Sequence, residues 1–356
     1  AHPIVKMAYE LNIRVDNDIG LFFSNHVQEE YEAFGDPPKI IAITGSNGKS
    51  TATALTNHVL SKFFSDVEMG GNIGKPVLEL SPLKEGSIRI IELSSYQIEL
   101  AKCLAPNLAA FINFSPDHLQ RHGGLGGYFY AKARLFLENL TDVSVINIDT
   151  AEGLFLFQRV NTAENKIIAI SSKLNIKNYL WAVGLKGSFI TEWKKGRQVY
   201  SFDLRNLGDS FLSLWESVLT VYALARSFGM APKSILTKCS GFVPLAHRSQ
   251  WVDEIKGVAF INDSKATNVD ATIHALKTFK NVHLILGGRA KEDNFCQLQD
   301  SMKNISRIYL IGEAASLIAS KLVGHEIEQF DTLNDAFDSA ISIATNGDTI
   351  LFSPAC

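Results

Sequence analysis

The sequence predicts an α/β protein with mainly parallel sheets. Short strands rich in β-branched residues alternate with amphipathic helices over most of its 356 residues, which is typical of a parallel sheet covered on both faces. A glycine-rich turn joins the first of these strands to a helix. A second series of strands and helices begins near Leu245, and the length allows two or three domains of ordinary size.

Residues 1–36 are predicted to form one small fragment: a helix, a short strand at residues 13–15, and a second helix that ends at Gly35. Such a fragment cannot bury a core of its own. We therefore expect it to be the remnant of an N-terminal domain whose beginning is missing from the sequence. Residues 36–38, Asp-Pro-Pro, mark a linker.

Two larger domains are predicted to follow, one at residues 37–244 and one at residues 245–356. Strands of the first are predicted at residues 39–44, 88–93, 109–114, 143–148 and 167–170, and its clearest helices at 50–63, 126–140 and 211–228. Strands of the second are predicted at residues 258–262, 282–286, 307–311 and 349–352, and its helices at 268–279, 314–322 and 333–344.

The strongest functional signal is the segment I-A-I-T-G-S-N-G-K-S-T at residues 41–51. Its glycines let the backbone bend so that successive N–H groups face phosphate oxygens, and the following helix presents its positive end to the same charge. Lys49 can reach the outer phosphates, and Ser50 or Thr51 can place a hydroxyl on Mg²⁺. The glycines are closer together than in the usual P-loop, yet this context predicts a P-loop ATPase domain. The residues predicted to bind ATP are Gly45, Ser46, Asn47, Gly48, Lys49, Ser50 and Thr51.

Polar side chains also follow other predicted strands, at the position where open α/β sheets bind ligands. Glu92 ends a strand and can place a carboxylate on Mg²⁺ beside Ser50, although a solvated strand-end carboxylate is the alternative. Asp117 and His118 close the next strand, where His118 can bind a second divalent ion, orient a substrate or cap a loop. Lys132 would be an ordinary surface lysine on composition alone.

The C-terminal block carries a similar set of strand-end charges. Arg248 precedes a strand that ends in Asn-Asp, and Asp263 and Lys265 follow it. Another strand leads into a pair of glycines followed by Arg289 and Lys291. Cations at strand ends that face an anionic centre are the expected apparatus of phosphoryl chemistry.

Composition excludes several classes of protein. The net charge of −3 gives no general basic field, so nucleic acid is not expected as a partner. The four cysteines are scattered without a zinc-site spacing, which indicates free thiols. No apolar run approaches the length of a membrane-spanning helix, and the first residues do not form a signal peptide pattern. We expect a cytoplasmic monomer, since no exposed apolar stripe indicates a partner.

Nine motifs occur in a fixed order: T-G-S-N-G-K-S-T, G-G-N-I-G-K-P, I-E-L-S-S-Y-Q, D-H, A-K-A-R, H-R, N-D-S-K-A-T-N, L-G-G-R-A-K and S-P-A-C. This order closely resembles that of the Mur ligase family. Two of the motifs, N-D-S-K-A-T-N and S-P-A-C, resemble those of its D-glutamate-adding branch. The resemblance implies an N-terminal UDP-binding domain, a central ATPase domain and a Rossmann-like C-terminal domain that receives the amino acid. It also implies that ATP activates the carboxylate of UDP-N-acetylmuramoyl-L-alanine as an acyl phosphate, which D-glutamate then attacks, in peptidoglycan precursor synthesis.

The resemblance also implies roles for individual residues. Lys49 and Ser50 would hold the outer phosphates and a first Mg²⁺ together with Glu92, and His118 would hold a second Mg²⁺. Lys132 matches a lysine that the family converts with carbon dioxide to a carbamate, a carboxylate-like ligand. The substrate positions would be Asn72, Ser94 and Gln97 for the muramoyl-alanine part, Arg248, Asp263 and Lys265 for the nucleotide, and Thr267 and Lys291 for D-glutamate.

The chain departs from the family pattern in three places. The beginning of the N-terminal domain is missing, the G-x-H-N-x-x-N adenine segment is replaced by residues 204–210, and the sequence stops at Cys356, where the family continues into a further loop. We expect the sequence to contain only part of a longer chain.

Three alternatives stay open on the sequence. Another ligase of the family, such as a folylpolyglutamate synthetase, is opposed by the N-D-S-K-A-T-N segment. A non-catalytic nucleotide-binding relative is opposed by the intact Lys49, Glu92, His118 and Lys132. A transport-type P-loop ATPase would not need the second block with Lys291.

Overall fold

The computed structural model describes residues 3–28, 34–138, 141–160, 166–208, 210–291 and 293–356. The chain divides into two compact units, Ala1–Phe242 and Val243–Cys356, each built on one sheet. The predicted α/β class is confirmed. The finer division into domains at residues 1–36, 37–244 and 245–356 stays a prediction.

The first unit contains a nine-stranded sheet. Its strands are β1 Lys39–Thr44, β2 Val67–Gly71, β3 Ile88–Glu92, β4 Leu108–Phe111, β5 Val143–Asn147, β6 Lys166–Ser171, β7 Trp181–Lys186, β8 Phe189–Lys194 and β9 Arg197–Asp203. Their order is β2-β3-β1-β4-β5-β6-β7-β8-β9. Neighbours from β2 to β7 pair in parallel, whereas β7, β8 and β9 form an antiparallel extension.

Helices cover both faces of this sheet, so its central strands are apolar on both sides. The helices are α1 Pro3–Glu10, α2 Asp18–Gln28, α3 Lys49–Leu60, α4 Ser95–Leu100, α5 Leu119–His122, α6 Leu125–Leu137, α7 Ala151–Val160, α8 Ser210–Ser213, α9 Trp215–Ser227 and α10 Pro232–Cys239. Two short 3₁₀ helices lie at Val77–Glu79 and Leu204–Leu207. Ile41 and Ile43 of β1 pack with α3, α9 and α10, whereas Ile40 and Ala42 pack with α2, α4, α6 and α7.

The second unit contains a six-stranded sheet. Its strands are β10 Gln250–Ile255, β11 Val258–Asn262, β12 Val282–Gly287, β13 Ile305–Ile311, β14 Ile327–Phe330 and β15 Thr349–Phe352. Its helices are α11 Val269–Leu276, α12 Ala315–Lys321 and α13 Leu333–Ile343, with a 3₁₀ helix at Phe295–Asn304. The order is β10-β11-β15-β12-β13-β14, with β10 antiparallel to β11 and the other pairs parallel.

Some predicted elements differ from the structure. The strand predicted at residues 13–15 is wrong, because the segment joins neither sheet in the described part of the chain and Ile13 is exposed. The single helix predicted at 211–228 is two helices, divided where Leu214 leaves the helical conformation (φ −95°, ψ 13°). Part of the predicted helix at 126–140 lies outside the described residues. The antiparallel strands β7 to β9 were not predicted.

No helix in the described part of the chain is long and apolar enough to cross a lipid bilayer. The four cysteines form no disulfide.

A buried carboxylate ties the antiparallel extension to α9. Glu192 of β8 is fully buried and accepts hydrogen bonds from Trp181 Nε1 at 3.0 Å, Tyr222 Oη at 2.7 Å and Arg226 Nε at 2.9 Å. Burial alone would raise the pKa of Glu192, but the hydrogen bonds from Arg226 and Tyr222 lower it below its usual value. The carboxylate is therefore ionised and fully paired.

Replacing this carboxylate should cost far more stability than breaking a surface ion pair. Glu192→Ala leaves the buried Tyr222 hydroxyl and the part-buried donors of Trp181 and Arg226 without their acceptor, so we expect a loss of about 3–5 kcal/mol in the free energy of unfolding. The control is Glu138→Ala, which removes a partly exposed pair with Arg134 and should cost at most about 1 kcal/mol. Urea unfolding measures both. Equal losses for the two variants would contradict this description of Glu192.

Candidate active site

The candidate site lies where the strand order of the first sheet reverses. β1 pairs with β3 on one side and β4 on the other, although β2 follows it in the chain. Ligands of open α/β sheets bind at such a point, outside the carboxyl ends of the strands. The glycine loop follows β1, Glu92 is the last residue of β3, and Asn113 follows β4.

The glycine loop, residues 45–48, lies directly against the segment after β4. A Cβ atom on Gly45 would come within 2.4 Å of Ile112 Cγ1, so only glycine fits there without a shift. Gly48 precedes α3 with φ 73°, a left-handed conformation that glycine adopts at little cost. Lys49 Nζ donates to the carbonyl of Ser46 at 2.8 Å, so its amine lies against the loop.

Protein groups already bind part of the loop backbone. Asn113 Oδ1 accepts hydrogen bonds from the N–H groups of Ser46 at 3.0 Å and Asn47 at 2.9 Å. The hydroxyl of Ser46 donates to the carbonyl of Ser115 and lies 3.2 Å from Tyr128 Oη. Phosphate binding by the backbone of Ser46 and Asn47 therefore stays a prediction, because both N–H groups face Asn113 in this structure.

Lys132 is buried beneath the same loop. Its side chain comes from α6, is 1% exposed, and donates from Nζ to the carbonyl of Gly45 at 2.7 Å. The amine also lies 4.7 Å from the centre of the Tyr128 ring. The composition-based interpretation of Lys132 as a surface lysine is wrong, because α6 turns this residue toward the sheet.

The environment of Lys132 disfavours its charged form. Burial lowers the pKa of the amine well below 10.5, and the nearby Lys49 lowers it further, against weaker opposing effects of Asp117 and Glu92. A neutral amine is a nucleophile, whereas an ammonium is not. The structure thus places a potentially reactive amine beside the phosphate loop.

Glu92 combines burial with an unused acceptor. It is 1% exposed, Oε1 accepts from Asn72 Nδ2 at 3.0 Å, and Oε2 has no hydrogen-bond partner among the described residues. A buried carboxylate oxygen without a partner is costly, and a cation would satisfy it. Asn72, predicted to bind substrate, thus forms a hydrogen bond with Glu92, the predicted metal ligand.

The surroundings of Glu92 fit Mg²⁺ rather than a metal held by protein alone. Within the described ranges, no three His, Cys, Asp or Glu side chains gather as a metal site. Mg²⁺ commonly takes only one or two carboxylates and completes its shell with water and phosphate oxygens. Ser50 is buried in the first turn of α3, directly after the glycine loop.

His118 occupies a constrained position before α5. Its backbone is left-handed, with φ 53°, and its Nδ1 lies 3.5 Å from Asp117 Oδ1. The imidazole packs edge-on against Tyr96 at 5.1 Å between ring centres. The ring is held by its neighbours while 34% of its side chain stays exposed, so a ligand can reach it.

Two predicted substrate residues have a structural role at the start of α4. Ser94 accepts from the N–H of Gln97, and the Gln97 side chain accepts from the N–H of Ser94, which is a capping box. This contact fixes the helix that follows β3. Substrate binding by Ser94 and Gln97 stays a prediction.

In the second unit the predicted residues separate into a buried and an exposed set. Asp263 is buried, with Oδ1 accepting from the N–H of Ser249 at 2.8 Å and Oδ2 from Ser353 Oγ at 2.8 Å. Burial raises the pKa of Asp263 against these hydrogen bonds. Lys265 is exposed, and Arg248 is half-buried.

The predicted D-glutamate residues lie together on the surface of the second unit. Lys291 Nζ donates to the carbonyl of Thr267 at 2.9 Å, and both residues are exposed. Asn113, Tyr128 and Ser353 contact site residues but were not among the residues predicted from the sequence. Asn113 follows a strand, which is the one signal that could have drawn attention to it.

Two sequence models match the chain. The Mur ligase middle domain matches residues 43–209, and the Mur ligase glutamate ligase domain matches residues 247–356. A Cereibacter sphaeroides protein named UDP-N-acetylmuramoylalanine--D-glutamate ligase is 42% identical over 99% of this chain and 77% of its own length. A Ruegeria pomeroyi protein of the same name is also 42% identical, over 99% of this chain and 76% of its own.

Solved structures resemble the fold. MurF from Acinetobacter baumannii superimposes with a TM-score of 0.69 at 16% identity, covering 95% of this chain and 77% of that one. MurF ligase from Thermotoga maritima in complex with ADP superimposes with a TM-score of 0.70 at 15% identity, covering 96% of this chain and 81% of that one. At these identities the likeness concerns the fold alone.

Removing the charge of Glu92 should weaken the binding of Mg²⁺-ATP without lowering the stability of the ligand-free protein. Glu92→Gln keeps the shape and an acceptor for Asn72, so without metal we expect a melting temperature equal to or above that of the unchanged protein. Mg²⁺ with ATP should raise the melting temperature of the unchanged protein but much less that of the variant, because the carboxylate ligand is gone. Thermal unfolding with and without Mg²⁺-ATP measures this. Equal ligand-induced shifts in both proteins would argue against a metal role for Glu92.

Proposed function

The chain belongs to the Mur ligase family, and we propose that it joins D-glutamate to UDP-N-acetylmuramoyl-L-alanine at the expense of ATP. The observation that carries this proposal is the 42% identity, over 99% of the chain, to relatives named for that reaction. The relationship includes both units, so it covers the ATP-binding segment and the domain predicted to receive the amino acid. The reaction would belong to cytoplasmic synthesis of the peptidoglycan precursor.

The chemistry requires two displacement steps. A carboxylate oxygen of the alanyl group attacks the γ-phosphorus of ATP, the bond to the β-phosphate oxygen breaks, and ADP leaves. The amine of D-glutamate then attacks the acyl carbon, and phosphate departs with the bonding electrons as the amine loses a proton. The first step brings two anions together, so the site must neutralise both.

Residues around the glycine loop are suited to that neutralisation. Lys49 begins α3, and its amine would move from the Ser46 carbonyl to the phosphates. Glu92 and Ser50 would hold one Mg²⁺, and His118 would contribute to holding a second. Bound Mg²⁺ would supply positive charge to the phosphate oxygens. Asn72 would keep the Glu92 carboxylate oriented through its hydrogen bond at 3.0 Å.

Lys132 is proposed to act as a carbamate. Because its pKa lies well below 10.5, the neutral amine that adds carbon dioxide is present at lower pH than for an exposed lysine. Addition of carbon dioxide to the neutral amine, with release of a proton, gives an anion that attracts Mg²⁺. Burial disfavours the ammonium and the carbamate alike, so it is a cation beside the carbamate that would favour the modified form.

In the second unit, Lys291 is proposed to pair with a carboxylate of D-glutamate beside Thr267. Arg248 and Lys265 are proposed to face the nucleotide. Asp263 would act at the nucleotide-facing end of β11, where Ser249 and Ser353 hold it.

The proposed reaction is tested by phosphate release from Mg²⁺-ATP. Release should require both UDP-N-acetylmuramoyl-L-alanine and D-glutamate, with L-glutamate and D-alanine at least about 100-fold less effective, since a site built for one charged substrate rejects those that leave its polar groups unpaired. Release that is equal without either substrate would refute the ligase function and favour a simple ATPase.

The proposed carbamate is tested by labelling and by replacement of Lys132. Protein equilibrated with ¹³C-bicarbonate should show a carbamate carbon resonance by NMR that is missing from Lys132→Met and present in Lys166→Met, which changes an exposed lysine. Lys132→Ala should lower kcat by at least about 100-fold, with partial recovery when a small carboxylate such as formate fills the vacated space. A fully active Lys132→Ala protein, or an unchanged resonance in Lys132→Met, would contradict the proposal.

A further inference from the structure

The side-chain amide of Asn113 is one of the groups that hold the glycine loop, together with Lys132 and Ser115. Besides accepting from two N–H groups of the loop, Asn113 donates from Nδ2 to the carbonyl of Asn47 at 3.0 Å. It thus contacts both the N–H and the C=O of one loop residue. These three hydrogen bonds form only when the amide oxygen, and not its NH₂ group, faces the two N–H groups of the loop.

The orientation of that amide has to be selected. Oxygen and NH₂ groups of an asparagine side chain occupy similar space, and the reversed amide would present donors to the two N–H donors of the loop. Glu216 Oε2 accepts from Asn113 Nδ2 at 2.8 Å. An ionised carboxylate only accepts hydrogen bonds, so it holds the NH₂ side and leaves the oxygen for the loop.

Glu216 is carried by a rigid element. It lies in the first turn of α9, where the helix dipole favours a negative side chain. Residues 217–225 of this helix are buried, and they pack in the same core as α3, which follows the glycine loop. Near the other end, Arg226 is bound to the buried Glu192. The helix that carries the carboxylate is therefore held by its packing and by the Arg226–Glu192 ion pair.

We propose that Glu216 is a positioning residue for ATP binding, acting through Asn113 on the backbone of the glycine loop. This inference rests on the proposed function, because it assumes that the loop receives the phosphates of ATP. If Glu216 positions the loop, its removal should weaken ATP binding. If it acted only through its charge, its removal would strengthen binding, because a carboxylate repels a triphosphate. The sign of the change in affinity distinguishes positioning from charge.

The first test measures the Kd for Mg²⁺-ATP by calorimetry, and the KM for ATP, on the full chain. Glu216→Ala removes the acceptor and should raise both about tenfold, the expected size for one charge-assisted hydrogen bond, while kcat changes much less. Glu216→Gln keeps an acceptor oxygen and should stay within about threefold of the unchanged protein. Glu152→Ala, which changes a half-buried glutamate in the first turn of α7, is the matched control and should have no effect.

A double-mutant cycle tests whether Glu216 acts through Asn113. If it does, Glu216→Ala should change the Kd less than about twofold in an Asn113→Ala background, whereas independent effects would multiply. The inference is overturned if Glu216→Ala binds ATP as tightly as the unchanged protein or more tightly, if Glu216→Gln loses as much affinity as Glu216→Ala, or if the two substitutions multiply. Failure of the proposed function is recognised separately, because the unchanged protein would then release phosphate without needing D-glutamate.

Discussion

The hydrogen bond from the buried Lys132 amine to the Gly45 carbonyl is the contact on which the candidate site depends. It joins α6 to the glycine loop at the end of β1, and it places an amine where water cannot solvate a positive charge. A carbonyl oxygen accepts a hydrogen bond but does not neutralise an ammonium, so burial wins and the pKa falls. The proposed carbamate of Lys132 and the carboxylate of Glu92 would together supply two anionic ligands to a divalent cation.

The glycine loop is organised largely by the protein itself. Asn113 binds its N–H groups, Ser115 and Tyr128 surround the Ser46 hydroxyl, and Lys132 binds the Gly45 carbonyl. A loop held in this way does not need to be ordered by the nucleotide, which saves conformational entropy on binding. Some of its backbone groups are occupied by protein acceptors, so side chains and metal ions must supply more of the contacts to phosphate than in the sequence-based prediction.

The sequence was most informative where a local pattern determines the structure. The β-branched run of β1, the two glycines and the amphipathic α3 predicted the strand, turn and helix that the structure contains. It was least informative where a distant partner decides. Residues 13–15 have the composition of a strand but no neighbour to pair with, and β8 is stabilised by Arg226 and Tyr222 from a helix 30 or more residues away. Burial of Lys132 and the orientation of Asn113 are likewise tertiary, because the spacing of neither residue indicates which group it will contact.

The most direct measurement of the central claim is an NMR titration of Lys132 in protein labelled with ¹³C at lysine Cε, free of metal and carbon dioxide. The Lys132 resonance is assigned by its absence from Lys132→Met. A midpoint well below 10.5 is the predicted result, since burial and Lys49 both disfavour the ammonium. A midpoint at or above 10.5 would mean that the amine is charged beneath the loop at neutral pH, and it would contradict this account of the site.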